Sequence, residues 1–138
     1  MVKVGDEIAK PYRFTLENIR EFARLAGDEN PLHSDPEFAA ASRYGGIIAS
    51  GPHMTAVLMG LVASRTTGLG DGVGLDFHVH FKKAIPAGTD TILTWKVLGI
   101  EPHAGLKGNL ATLEGRIVDA AGKVYVTCEG RSVNWPAP

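Results

Sequence analysis

The stretch SGPHMTAVLMGLVASRTTG, which begins at Ser50, constrains the fold of this chain more than any other. Its residues Ala56, Val57, Leu58, Met59, Gly60, Leu61, Val62 and Ala63 place apolar or small side chains nearly all the way round a helix. A helix of that kind has to be covered on most sides. Ser50 or Gly51 suits its cap, and Pro52 suits its first turn, where a missing N–H costs nothing. The 138 residues suit one domain with one continuous core, assigned to 1–138 with a loose tail at 135–138.

Two further segments read as helices. TLENIREFARLAG brings Leu16, Ile19, Phe22, Ala23 and Ala26 to one face, with Thr15 as cap, Glu17 in the first turn and Gly27 as stop. DPEFAAASRYGG gives a shorter helix capped by Asp35, with Pro36 in its first turn and Gly45-Gly46 at its end.

After Gly70 the period changes to two. Leu75, Phe77, Val79 and Phe81 alternate with Asp76, His78, His80 and Lys82, which predicts a strand with one apolar face. DTILTWKVLGIEPH, GNLATLEGRIVDA and GKVYVTCEGRSVN follow as strands, with a turn at IPAGT and a hairpin turn at DAAGK. Helices first and strands after, with short connections, predict an α+β domain whose single antiparallel sheet wraps around the long central helix.

Fourteen basic residues against fifteen acidic ones leave no positive field for nucleic acid or a membrane surface, so neither partner is expected. MVKVGDEIAKPYRF lacks the apolar centre of a signal peptide and no run reaches spanning length, so a cytoplasmic location is expected. Cys128 cannot form an internal disulfide and reads as a small apolar strand residue. Trp95 reads as core or interface.

Chemistry concentrates in GDENPLHSD, Gly27 to Asp35. Pro31 disfavours helix at Asn30, so the segment is a rigid loop able to aim the Asp28 carboxylate and the His33 imidazole at one point. An acid and an imidazole so aimed can orient and deprotonate water. The helix start at Gly51 adds a free backbone N–H suited to an oxygen gaining negative charge, and a glycine lets a ligand approach closely. Asp, Asn and Pro are equally common in plain turns, so spacing by itself leaves turn and site both open.

GDENPLHSDPEFA followed by GGIIASGPHM resembles the MaoC-like dehydratase family, which includes the (R)-specific enoyl-CoA hydratases. The family motif Asp-x-Asn-Pro-(Leu or Ile)-His-x-Asp is matched by Asp28, Asn30, Pro31, Leu32, His33 and Asp35, and AIPAGT resembles a later turn of the family. The resemblance implies a hotdog fold, a homodimer or higher homo-oligomer with active sites near the interface, and reversible hydration of trans-2-enoyl-CoA thioesters. It implies that Asp28 activates water, that His33 holds the same water and shares in proton delivery, and that the Gly51 amide polarises the thioester carbonyl. Asn30 and Asp35 then shape the loop. Asn30 and Ser50 are assigned to substrate binding, and His53, in the first turn of the central helix, suits either the wall of the pocket or packing at the helix start. Coenzyme A is part of the substrate, and no cofactor is implied. Many family hydratases carry His-Gly where this chain has Ser50-Gly51 followed by Pro52-His53. One hotdog unit, without a second repeat, points to a short or medium acyl group. The alternatives are a hotdog thioesterase, which would direct the water at the carbonyl, and a non-catalytic acyl-CoA-binding subunit.

His78 and His80 offer two metal-type donors on one strand, but the neighbouring sequence supplies no third, and no metal is expected. Lys82, Lys83 and Arg131 are candidate contacts for coenzyme A phosphates.

Overall fold

A computed structural model describes residues 2–66 and 71–135. Five strands, β1 (Glu7–Phe14), β2 (Gly72–Phe81), β3 (Thr89–His103), β4 (Gly108–Val118) and β5 (Val124–Asn134), form one antiparallel sheet in the order β1-β3-β4-β5-β2. The helices are α1 (Leu16–Ala26), α2 (Pro36–Ala41) and α3 (Gly51–Thr66), with a 3-10 turn at Pro31–His33 between α1 and α2. The sheet wraps α3, which is the hotdog arrangement. The parts of the expected central helix at Thr67 and Gly68, and the tail residues Pro136–Pro138, lie outside the described residues.

α3 is packed by side chains of one sheet face. Leu58, Leu61 and Val62 are buried with Leu93, Trp95, Leu113, Ile117 and Val126. Trp95 sits at the centre: its ring is buried, and its Nε1–H donates to the Leu58 carbonyl of α3 at 2.7 Å. That bond satisfies the one polar atom of a large apolar ring. Opposite Trp95 on β4 is Gly115, where a Cβ would lie 2.8 Å from the indole, so the ring occupies the space a side chain would need.

The ends of the helices follow their sequence signals. Thr15 and Asn18 cap α1 reciprocally, each side chain accepting from the other's backbone N–H. Gly27 turns left-handed at φ 69°, and the next amide, of Asp28, closes back on Ala23 at 2.8 Å. Asp35 caps α2 by accepting from Glu37 and Phe38. The DAAGK turn closes with the Asp119 carboxylate accepting from the Ala121 and Lys123 amides and Gly122 at φ 87°.

Five features differ from the sequence expectation. The central helix is not covered on most sides: Pro52, Ala56, Gly60 and Ala63 are exposed along one face of α3. A strand, β1, precedes the first helix. Its sequence EIAKPYRF carries charges and a proline instead of alternating apolar residues, which is the composition of a sheet edge. The segments ATLEGRIV and KVYVTC carry few charges, which by itself suggests edges that need a partner to cover them, yet β4 and β5 are interior and the edges are β1 and β2. In β2 the register shifts between Gly74 and Asp76, which turns Leu75 outward, and Phe81 at the strand end is also exposed, so only Phe77 and Val79 face the core. Trp135, expected in a loose tail, is anchored through Nε1–H to the Leu106 carbonyl and through its amide to the Asp71 carbonyl.

Candidate active site

Three short segments meet around His33. The first is the exit of α1, where the left-handed Gly27 delivers Asp28 directly from the helix end. The second is the loop itself. Asp28 Oδ1 accepts from the Asn30 amide at 3.0 Å, Asn30 Oδ1 accepts from the Leu32 amide at 3.1 Å, and the Asn30 carbonyl accepts from the His33 amide at 3.1 Å. These nested turns are the local preference of Asx side chains beside a proline. The third is the run Ile47–Ser50 leading into α3. Ile48 donates its N–H to the Leu32 carbonyl at 3.2 Å, and its carbonyl lies 2.7 Å from His33 Nδ1. The run is held in turn by Ala49 N–H to the Ile85 carbonyl and Ala87 N–H to the Ile47 carbonyl.

The Ile48 contact fixes the chemistry of the imidazole. A carbonyl oxygen only accepts, so His33 Nδ1 carries a proton and donates. In the neutral ring Nε2 is then a bare acceptor. Nε2 faces Asp28 Oδ2 at 3.9 Å, with the His33 side chain 9% exposed and that of Asp28 25% exposed. The separation is too long for a direct hydrogen bond. A nearly buried imidazole and a half-buried carboxylate, both acceptors, therefore face one small space from two sides.

Gly51 follows Ile48 by three positions and opens α3. Among the described residues no carbonyl accepts from its N–H. Its φ is not positive. The glycine is therefore not required by backbone conformation. A Cβ there would sit 3.1 Å from the Phe81 ring, so that exposed ring would have to give by a few tenths of an ångström.

The other expected site residues have structural duties. Ser50 is buried and caps α3, its Oγ accepting from the His53 amide at 3.2 Å. The side-chain oxygen of Asn30 is committed to the loop. His53 is 1% exposed, stacked on Phe22 at 4.8 Å between ring centroids and edge-on to Phe14 and Tyr12, with Nε2 2.8 Å from the Tyr12 hydroxyl. Among the described residues its Nδ1 has no hydrogen-bond partner. Burial pushes this imidazole down to about 4 from its ordinary 6.5. Arg131, a candidate phosphate contact, is engaged by the Asp76 carboxylate across β2 and β5. Lys82 and Lys83 are exposed. Cys128 is buried, its thiol pushed up to about 11, as suits a small apolar residue. An apolar cavity of about 240 Å³ lies between the second half of α3 and the start of β2, lined in part by Met59, Val73 and Phe77, and Asp28, His33 and Gly51 are not among its walls.

The profile of the MaoC like domain matches residues 2–116. The chain belongs to the MaoC-like family. It is 29% identical over 128 residues to the (R)-specific enoyl-CoA hydratase of Aeromonas caviae, covering 93% of this chain and 92% of that one. It is 31% identical over 125 residues to a UPF0336 protein of Streptomyces avermitilis, covering 85% and 81%. The unliganded R-hydratase PhaJ1 of Pseudomonas aeruginosa superposes with a TM-score of 0.87 at 25% identity over 99% of this chain and 84% of that one. This MaoC-like chain thus shares both fold and sequence with hydratases, and sequence also with proteins whose name states no activity.

The buried His53 makes stability depend on pH. Its folded-state value lies below the unfolded one, so the unfolded chain binds the proton more tightly. The contribution is complete above about pH 6.5 and is lost as pH falls toward 4, amounting to about 3 kcal/mol. Urea unfolding of wild type and His53→Gln at both ends of that window checks this. The wild type should lose markedly more stability on acidification, and equal losses would remove His53 as the cause.

Proposed function

We propose that this protein catalyses reversible hydration of trans-2-enoyl-CoA thioesters to (R)-3-hydroxyacyl-CoA. The observation that carries the reading is the Asp28–His33 pair, in which the Ile48 carbonyl holds the imidazole with Nε2 as an acceptor opposite the carboxylate. Two acceptors 3.9 Å apart suit one water that donates a hydrogen to each, with bonds of about 2.8 Å. Such a water keeps its lone pairs directed away from the protein, toward a substrate carbon. The similarity to the Aeromonas caviae hydratase supports the same reading and its (R) product.

The water oxygen bonds to the β-carbon as one of its protons passes to the Asp28–His33 pair, with Asp28 as base. The double-bond electrons move through the α-carbon onto the thioester oxygen. That oxygen gains negative charge and is met by the Gly51 N–H at the start of α3. The held proton then passes to the α-carbon and the carbonyl reforms. Dehydration is the same sequence reversed. Asn30 and Ser50 keep the loop and the helix start in place for these events, and His53 packs behind the helix start.

We propose further that the working unit is a homodimer formed across β2. Edge β1 exposes Lys10, Pro11 and Arg13, which discourage pairing, whereas edge β2 exposes Val73, Leu75 and Phe81. Light scattering at micromolar concentration should give at least twice the 14.7 kDa chain mass, and a monomer mass would reject the dimer.

Mixed with crotonyl-CoA, the protein should remove the enone absorbance without releasing thiol. Release of thiol would identify a thioesterase, and no turnover across a panel of acyl chains would identify a binding subunit. Asp28→Asn should fold normally and lose activity by a factor on the order of 10²–10⁴, because an amide cannot take up the proton. His33→Ala should lose a similar factor. The double variant should fall far short of the product of the two, since both residues serve one water. Near-wild-type turnover in folded Asp28→Asn would refute the base.

Gly51→Val tests the oxyanion donor. The added side chain meets Phe81 and the approach path of the substrate carbonyl, so turnover should drop on the order of 10²–10³-fold. Phe81 is 53% exposed and free to move aside, so the melting temperature should change little. A large fall in melting temperature with preserved turnover would reduce Gly51 to a helix-start residue.

A further inference from the structure

The outer face of the sheet, turned away from α3, holds a side-chain cluster that the hydration chemistry leaves unused. His78 and His80 stand two apart on β2 and so project from the same face. Their neighbour Val79 points the other way, into the core row of Val79, Cys128, Gly115 and Trp95. The residue opposite His78 on β5 is Glu129. Glu129 Oε2 lies 3.8 Å from His78 Nδ1 and 3.6 Å from His80 Nε2, and donor atoms of all three residues lie within 4.8 Å of one another.

These distances are too long for the three groups to satisfy one another by hydrogen bonds. They are close to what a shared ion requires. Ligands bound at about 2.0–2.2 Å in a tetrahedral shell stand about 3.3 Å apart, a closure that small rotations of exposed side chains supply. The backbone beneath is a paired strand register, continuous from Asp76 to Phe81, so the donors are held on a rigid base.

Charge points the same way. Glu129 is paired across β4 and β5 with Glu114, a like-charge neighbour that costs stability. Glu114 is answered by Arg116, whose guanidinium reaches it at 3.0 Å. Among the described residues, Glu129 has no lysine or arginine within ion-pair distance and meets only the two histidines. A cation at this point would neutralise the carboxylate and clip the edge strand β2 to β5.

We propose that His78, His80 and Glu129 bind a first-row divalent metal ion of the zinc type, with a fourth position open to solvent. Two imidazoles and one carboxylate suit zinc and its neighbours, whereas magnesium and calcium take oxygen shells. The site is separate from the Asp28–His33 pair and stands whether or not that pair hydrates thioesters.

The test uses the untagged full chain, stripped of metal with chelator, titrated with zinc chloride by calorimetry and followed by thermal melting. One zinc ion per chain should bind in the micromolar range, and the melting temperature should rise, since an ion that binds only the folded state stabilises it. Magnesium chloride should do neither. Glu129→Gln, which keeps the side-chain shape, and His78→Ala/His80→Ala should each weaken zinc binding at least about ten-fold with unchanged circular dichroism. Absence of stoichiometric zinc binding would overturn the proposal. So would undiminished binding in both variants, which would place the ion elsewhere, for example on Asp28 and His33.

Discussion

The packing of one side of α3 against the sheet is the interaction on which the rest of the structure depends. α3 buries Met54, Leu58, Leu61 and Val62 and leaves Pro52, Ala56, Gly60 and Ala63 exposed along the opposite face. A single curved sheet packed on that buried side builds the core with few residues. Trp95 shows how close the fit is: its ring fills the space left by Gly115, and its only polar atom is satisfied by the helix backbone at Leu58. Close packing of this kind holds the start of α3 in a fixed relation to the sheet.

The candidate site uses that rigidity. The run Ile47–Ser50, immediately before α3, is bonded on one side to residues 85–87 and on the other to the loop that carries His33. One carbonyl, that of Ile48, both orients the imidazole and selects its tautomer. The Gly51 amide and the His33 ring are therefore placed by one short piece of backbone, and Asp28 is placed by the end of α1. The chemistry rests on backbone hydrogen bonds more than on side-chain partners, which is why polar residues such as Asn30, Ser50 and Asp35 serve as caps and turns around it.

Much of this is legible in the sequence. The caps at Thr15 and Asp35, the left-handed stop at Gly27 and the Asx turns at Asp28 and Asn30 are local events, settled within a few residues of chain. β3, β4 and β5 announced themselves by period-two alternation because each has one buried face. β1 did not, because an edge strand with lysine, proline and arginine is selected against looking like a strand. Leu75 and Phe81 alternate with polar residues as core residues do, but a bulge between Gly74 and Asp76 turns Leu75 outward and Phe81 lies exposed at the strand end.

The sequence by itself determined which segment forms the core helix, where helices start and stop, and that an acid and an imidazole share one rigid loop. Those properties depend on side-chain chemistry and near neighbours in the chain. The tertiary structure alone decided which nitrogen of His33 is protonated, that Phe81 claims the space beside Gly51, and that Glu129 stands beside His78 and His80. Each of these depends on a partner brought from elsewhere in the chain by strand register or by a backbone carbonyl, and neither register nor carbonyl direction leaves a mark in the local sequence.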